Sequence, residues 1–265
     1  MNANSKLRFM TRIIGILSGK GGVGKTTITA NLGVALASKF NKKVTVVDCN
    51  LTTSHLGMHF GIFYYPKTFN DFLKNKATID EVIFPHGTGV NIIPASMNLS
   101  DLSGIDMSTL NSKLSGAMTN QDFVFLDIAP GFGKEAISGI KSCQEALLIT
   151  TPDMPSVTDV IKAKNILNEI NIKILGLVLN KVTGKKFDLT QKEIEDTIGL
   201  PVIASIPFRF EVVESIANKT PLVAYKPNSD VSIEIFKLAA VVSNEEYKPP
   251  KINLIRAIGK IFSKF

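Results

Sequence analysis

Short runs of aliphatic and β-branched residues alternate along the chain with longer stretches whose apolar positions recur at helical spacing. The runs predict buried strands at 13–17 (IIGIL), 43–48 (KVTVVD), 90–95 (VNIIPA), 122–127 (DFVFLD), 145–150 (EALLIT), 172–180 (IKILGLVLN) and 201–207 (PVIASIP). Helices are predicted at 25–40, 156–170, 190–198, 210–218 and 230–243. Strands alternating with helices imply an α/β protein, a mostly parallel sheet with helices on both faces. One domain over 1–244 is expected. A linker over 245–250 ends in Pro249 and Pro250, which favour extended backbone, and a separate helix is expected over 251–265.

A chain of 265 residues suffices for one large domain, and 45% hydrophobic content is ordinary for a globular protein. No apolar run approaches the roughly 18 residues of a spanning helix, and the first twelve residues contain no apolar signal segment. A cytoplasmic protein is therefore expected. Cys49 and Cys143 stand far apart and form no C-x-x-C pair, which suits reduced structural thiols better than a disulfide, metal site or redox pair.

The net charge of +7 is unevenly placed. Residues 247–265 hold Lys248, Lys251, Arg256, Lys260 and Lys264 and no acid, which leaves +2 for the rest of the chain. On a helix, Leu254, Ile255, Ile258, Ile261, Phe262 and Phe265 fall within an arc of about 120°. Arg256, Lys260 and Lys264 lie opposite. An apolar face, a basic face and no acid mark a helix that lies in a membrane interface, each basic residue gaining roughly 1 kcal/mol near anionic lipid. Only about four turns long, such a helix is marginal by itself in water. One copy should bind weakly and two copies by avidity. Docking of this helix on the protein's own body or on a partner is the open alternative.

Gly19, Gly24, Lys25 and Thr26 fit G-x-x-x-x-G-K-[ST] between a predicted strand and a predicted helix, the context a phosphate-binding loop requires. Backbone N–H groups of such a loop turn toward phosphate oxygens, and the helix N-terminus adds partial positive charge. Lys25 should bridge β- and γ-phosphates, and the Thr26 hydroxyl should ligate Mg²⁺. The generic motif needs one lysine, yet Lys20 is a second.

With that lysine the loop KGGVGKTT, residues 20–27 (Lys20, Gly21, Gly22, Val23, Gly24, Lys25, Thr26, Thr27), resembles the deviant Walker A loop of the MinD/ParA ATPases. Further stretches resemble that family in order and spacing: VVDCNLTTSHLG as switch I, NIIPAS, FLDIAPGFGKEA as Walker B with switch II, and GLVLNK as the adenine-side strand. TTPDMPSVTDVIKAKNIL and IPFRFEVVESIANKTPLVAYKPNS are similar to the MinD branch in particular. The resemblance implies a three-layer P-loop NTPase fold that binds ATP and Mg²⁺. It implies that Lys20 reaches across an ATP-dependent homodimer to the other copy's nucleotide. Asp127 and Asp48 would face the metal's hydration shell, and a backbone N–H of the Gly131–Gly133 stretch would meet the γ-phosphate. Asn180 would read the adenine edge, with Pro207 and Arg209 lining its pocket.

One position departs from the family. Most members carry an aspartate two residues after the one matched by Asp48, where it positions the attacking water; this chain has Asn50. An amide orients water but is no base. Loss of general-base help typically costs ~10²–10⁴ in rate. Thr52, Thr53 or His55 are alternative sources of the water contact.

Lys20, Lys25, Asp48, Asn50 and Asp127 are thus the expected catalytic set. ATP would gather two tails onto one dimer and so control attachment to an anionic membrane. The expected task is spatial placement of the division site or of another assembly, with an unidentified protein cargo or activator. A very slow ATP-dependent scaffold is one rival. A DNA-partition ATPase is another, but the positive charge lies on the amphipathic tail and not on the body, so no nucleic-acid partner is expected.

Overall fold

The structure is a computed structural model that describes residues 11–250. The helix expected at 251–265, with all its membrane-facing residues, lies outside the described residues.

The strands are β1 (Arg12–Leu17), β2 (Val44–Cys49), β3 (Phe84–Pro85), β4 (Val90–Ile93), β5 (Phe123–Ile128), β6 (Glu145–Thr150), β7 (Lys173–Val182) and β8 (Val202–Pro207). The helices are α1 (Lys25–Phe40), α2 (Phe69–Leu73), α3 (Leu110–Ala117), α4 (Lys134–Lys141), α5 (Met154–Glu169), α6 (Gln191–Ile198), α7 (Phe210–Ala217), α8 (Leu222–Tyr225) and α9 (Asp230–Ser243). The strands form one sheet in the order β3-β4-β2-β5-β1-β6-β7-β8. Every pairing is parallel except β3 with β4.

Strand alternation divides the core between the two faces of the sheet. Ile14 and Ile16 of β1 and Phe125 of β5 point to the layer that holds Leu32 and Leu36 of α1 and Ile235 and Leu238 of α9. Ile13 and Leu17 of β1 and Val124 and Leu126 of β5 point to the opposite layer, with Leu114, Ile140, Val160 and Ile194 from α3, α4, α5 and α6. The central strands are buried on both sides, which is why they read as continuous apolar runs and not as alternating ones. Their C-terminal ends gather the loops that carry the motifs, as in other open parallel sheets.

Several elements differ from the sequence expectation. Helix α5 begins at Met154, not at 156: Asp153 caps it by accepting the Ser156 N–H, and Pro155 is tolerated in the first turn. Strands β3 and β4 and helices α2, α3, α4 and α8 are short, and the interior glycines of α3 and α4 (Gly116, Gly139) break the helical signal. The expected linker begins in contact with the body. Glu245 pairs with Lys42, and the Tyr247 ring packs 6.4 Å from Phe40 and 5.5 Å from Phe236, centre to centre.

Candidate functional site

Residues 18–24 join the central strand β1 to α1 and fold over the first turn of that helix. Gly24 is its N-cap, in left-handed backbone at φ 98°, and offers no side chain to the first-turn N–H groups. Those donors remain free for an anion. A Cβ at Gly24 would lie 2.4 Å from Asn180 Nδ2, so only glycine fits. Gly19 is equally constrained: a Cβ there would meet the Asp159 backbone at 2.7 Å. The loop is thereby pressed between β7 and α5.

The loop borders a cleft of about 540 Å³, within the ~300–1,000 Å³ range typical of small-molecule sites. Gly21, Gly22, Gly24, Lys25, Thr26 and Thr27 form its polar end, with Asn50, Thr53, His55 and His59 opposite. Asn180, Pro207, Phe208, Arg209, Val212 and Val213 form the other end, where the lining turns apolar. A polar cradle at a helix N-terminus, continuous with an apolar slot, suits a phosphorylated ligand with a flat hydrophobic group. Gly19, Lys20 and Val23 shape the loop without lining the cleft, and Val23 is buried in the core.

Lys25 is only 7% exposed. Burial lowers its pKa and the Asp127 carboxylate opposes that shift. Asp127 and Asp48 end the neighbouring strands β5 and β2 in direct register, and both are buried. Burial raises both pKa values, and mutual repulsion adds to the rise of Asp127. Asp127 Oδ1 has no hydrogen-bond partner among the described residues. Two buried carboxyl groups, one with an orphaned oxygen, near the Thr26 hydroxyl and the Lys25 ammonium, fit a hydrated divalent cation. Asp48 is largely occupied: Oδ1 accepts the Asn50 N–H at 3.1 Å, and Oδ2 accepts the Ser54 hydroxyl at 2.7 Å and the Leu56 N–H at 3.1 Å. It therefore folds switch I as much as it faces any metal.

Asn50 spends its amide within its own loop. Its Nδ2 donates to the Thr53 carbonyl at 2.9 Å, and its Oδ1 accepts the Thr53 hydroxyl at 3.0 Å. Asn180 is partly spent in a similar way, its Nδ2 donating one hydrogen to the Val23 carbonyl at 2.7 Å, which leaves its Oδ1 and the second amide hydrogen for a ligand in the cleft. Arg209 pairs with Asp230 at 2.6 Å. Lys20 points away from the cleft and pairs with Asp153 Oδ1 at 3.0 Å. Asp153 is partly buried, which would raise its pKa, but the Thr151 hydroxyl, Lys20 and Ser156 outweigh that and hold it at about 2.

Some participants were missed in the sequence. His59 Nδ1 lies 3.2 Å from the His55 carbonyl, which only accepts, so that nitrogen carries the proton. Its Nε2 then receives the Thr27 hydroxyl at 3.2 Å. Lys181 Nζ donates to the Gly22 carbonyl at 2.6 Å from a left-handed backbone position. Glu135 of α4 holds switch I. Asp153, the partner of Lys20, was missed as well, though it left a readable signal, an acid placed to cap a helix ahead of a proline.

A phosphate cradle on the central strand, backed by a buried lysine and paired strand-end carboxylates, defines a P-loop NTPase. The chain belongs to the ParA family of these proteins: residues 9–243 match the family described as NUBPL iron-transfer P-loop NTPase. It is 34% identical to an uncharacterized ATP-binding protein of Methanocaldococcus jannaschii, over 90% of each chain. It is 31% identical to the septum site-determining protein MinD of Synechocystis, over 81% of this chain and 82% of that one. The structure of MinD from Pyrococcus horikoshii, complexed with Mg-ADP, superposes with a TM-score of 0.86 at 33% identity, over 92% of this chain and 100% of that one.

Proposed function

We propose that this chain is a MinD-like ATPase that dimerises on binding ATP, attaches as a dimer to an anionic membrane surface and leaves it on hydrolysis. Its task would be to position the division site or another cellular assembly. The observation that carries the proposal is the division of labour between two lysines of one loop: Lys25 is buried in the cradle, and Lys20 is held outside it by a half-exposed ion pair. Such a pair is worth little in itself, roughly 0–1 kcal/mol, so Lys20 is readily exchanged for a stronger anion.

The residues divide the work as follows. Backbone N–H groups of 21–26 bind the β-phosphate, and Lys25 adds charge on the γ side. Thr26 and Asp127 would hold Mg²⁺, with Asp48 beyond it; the ion supplies charge neutralisation on the phosphate oxygens. The apolar slot between Pro207 and Val213 takes the base, and Asn180 Oδ1 accepts from its exocyclic amine. Lys20, released from Asp153, reaches the triphosphate of a second copy.

Light scattering tests this. The full chain should double its mass with a non-hydrolysable ATP analogue and Mg²⁺ and remain monomeric with ADP. Lys20→Ala should stay monomeric in both while still binding nucleotide. Equal dimerisation of wild type and Lys20→Ala would refute the assigned role.

A second reading, a slow ATP-held scaffold, is favoured by the self-satisfied Asn50 amide. An iron carrier is disfavoured, because a metal-binding thiol must ionise. Cys49 and Cys143 are both buried, which pushes the Cys143 thiol up to about 12 and Cys49 well above its usual value.

A further inference from the structure

We propose that Glu135 is a positioning residue that couples the two switch segments, transmitting the state of switch II to the loop that carries Asn50. This rests on the ATPase reading above.

The Glu135 carboxylate accepts three hydrogen bonds from the middle of switch I: from Leu51 N–H, from Thr52 N–H at 3.2 Å, and from the Thr52 hydroxyl at 2.7 Å. Charge-assisted bonds of this kind are about twice as strong as neutral ones. Leu51 is 4% exposed, so its N–H has little access to water as a substitute partner.

Glu135 lies in the first turn of α4, immediately after residues 129–133 of switch II. That segment runs without a break into the helix. Gly131 sits at φ 78° and its N–H donates to the Ser18 carbonyl at the end of β1, at 3.3 Å. Gly133 caps α4 with extended backbone and no side chain. Ala136 and Ile140 seat the helix on the core. A γ-phosphate that fixes the 131–133 peptides fixes the N-terminus of α4 and Glu135 with it. Glu135 in turn fixes Leu51 and Thr52, next to Asn50. With the γ-phosphate gone, the glycine-flanked segment relaxes and the clasp loosens, an order–disorder response of a switch. Neither Glu135 nor Thr52 lines the cleft, so the device acts through geometry and not through contact with nucleotide.

The clasp protects two backbone amides, so hydrogen–deuterium exchange of Leu51 and Thr52 reads it directly. In the full chain with Mg²⁺, these amides should exchange about tenfold more slowly with a non-hydrolysable ATP analogue than with ADP, the scale of one charge-assisted hydrogen bond. In Glu135→Ala they should exchange rapidly with both nucleotides and the difference should vanish, with ADP affinity retained. Glu135→Gln, which keeps one acceptor oxygen, should restore part of the difference. Thr52→Ala removes one hydroxyl without touching the helix and should shrink the difference. A nucleotide-dependent difference that survives intact in Glu135→Ala, or one lost equally in Glu135→Gln and Glu135→Ala, overturns the proposal and leaves Glu135 a static brace. Wild-type chain that binds neither nucleotide would overturn the ATPase reading itself, and is distinguished by the binding step.

Discussion

Asn50 gives the clearest consequence at the scale of single residues. Its amide hydrogens donate to a carbonyl, an arrangement that aspartate does not reproduce. An aspartate at 50 would face the Thr53 carbonyl with a negative oxygen and would swing out toward the cleft. Asn50→Asp should therefore raise ATP turnover, by up to the ~10²–10⁴ range associated with a general base. Equal turnover of the two chains under single-turnover conditions would remove Asn50 as a brake on hydrolysis. Asp153 gives a consequence in pH. Its pKa is depressed to about 2 from an ordinary 3.8, so its contribution to stability is present above about pH 4 and is lost as pH falls through 2. Asp153→Asn should unfold more easily than wild type at neutral pH, and the two denaturation midpoints should converge toward pH 2. Parallel curves at all pH values would contradict the assignment. The motif residues were legible because phosphate chemistry fixes their type and spacing. Asn180 and Lys181 as partners of Val23 and Gly22 were not, since a contact between β7 and the loop is long-range in sequence.

Among elements, the long buried strands and the helices α1, α6 and α9 could be read within a residue or two, because their apolar patterns extend over one strand or several helical turns. Short helices α3 and α4 carried glycine and serine in their interiors and too few turns to display a period. Yet α4 bears Glu135. What makes it helical is the burial of Ala136 and Ile140 against β5, not propensity. The segment after α9 illustrates the same limit. Its prolines suggested a free linker, while Tyr247 rests on Phe40 and Phe236 with Lys39 5.9 Å above the ring. Tyr247→Ala should lower the melting temperature by roughly 2–4 °C, the shift expected for about 1 kcal/mol in a domain of this size. An unchanged melting temperature would show that the ring adds nothing to the body. A truncation meant to remove only the basic tail should accordingly end at Pro250 and not at Asn244.

For the whole molecule, fold and family follow from the order of the motifs along an alternating α/β pattern, and similarity to MinD structures extends over nearly the entire described domain. Among the described residues no helix is long and apolar enough to cross a membrane. Attachment would then rest on residues 251–265, where helical spacing sets Arg256, Lys260 and Lys264 opposite six apolar side chains. In the proposed account dimer and membrane are linked by arithmetic: one weak helix per copy would become a firm anchor only when two are presented together. The most direct test is co-sedimentation with anionic liposomes in ATP and in ADP, full chain against a chain ending at Pro250. The account predicts pelleting of the full chain in ATP, little in ADP, and none of the shortened chain in either. Equal pelleting of the full chain in both nucleotides would contradict it, because ATP would then control something other than attachment.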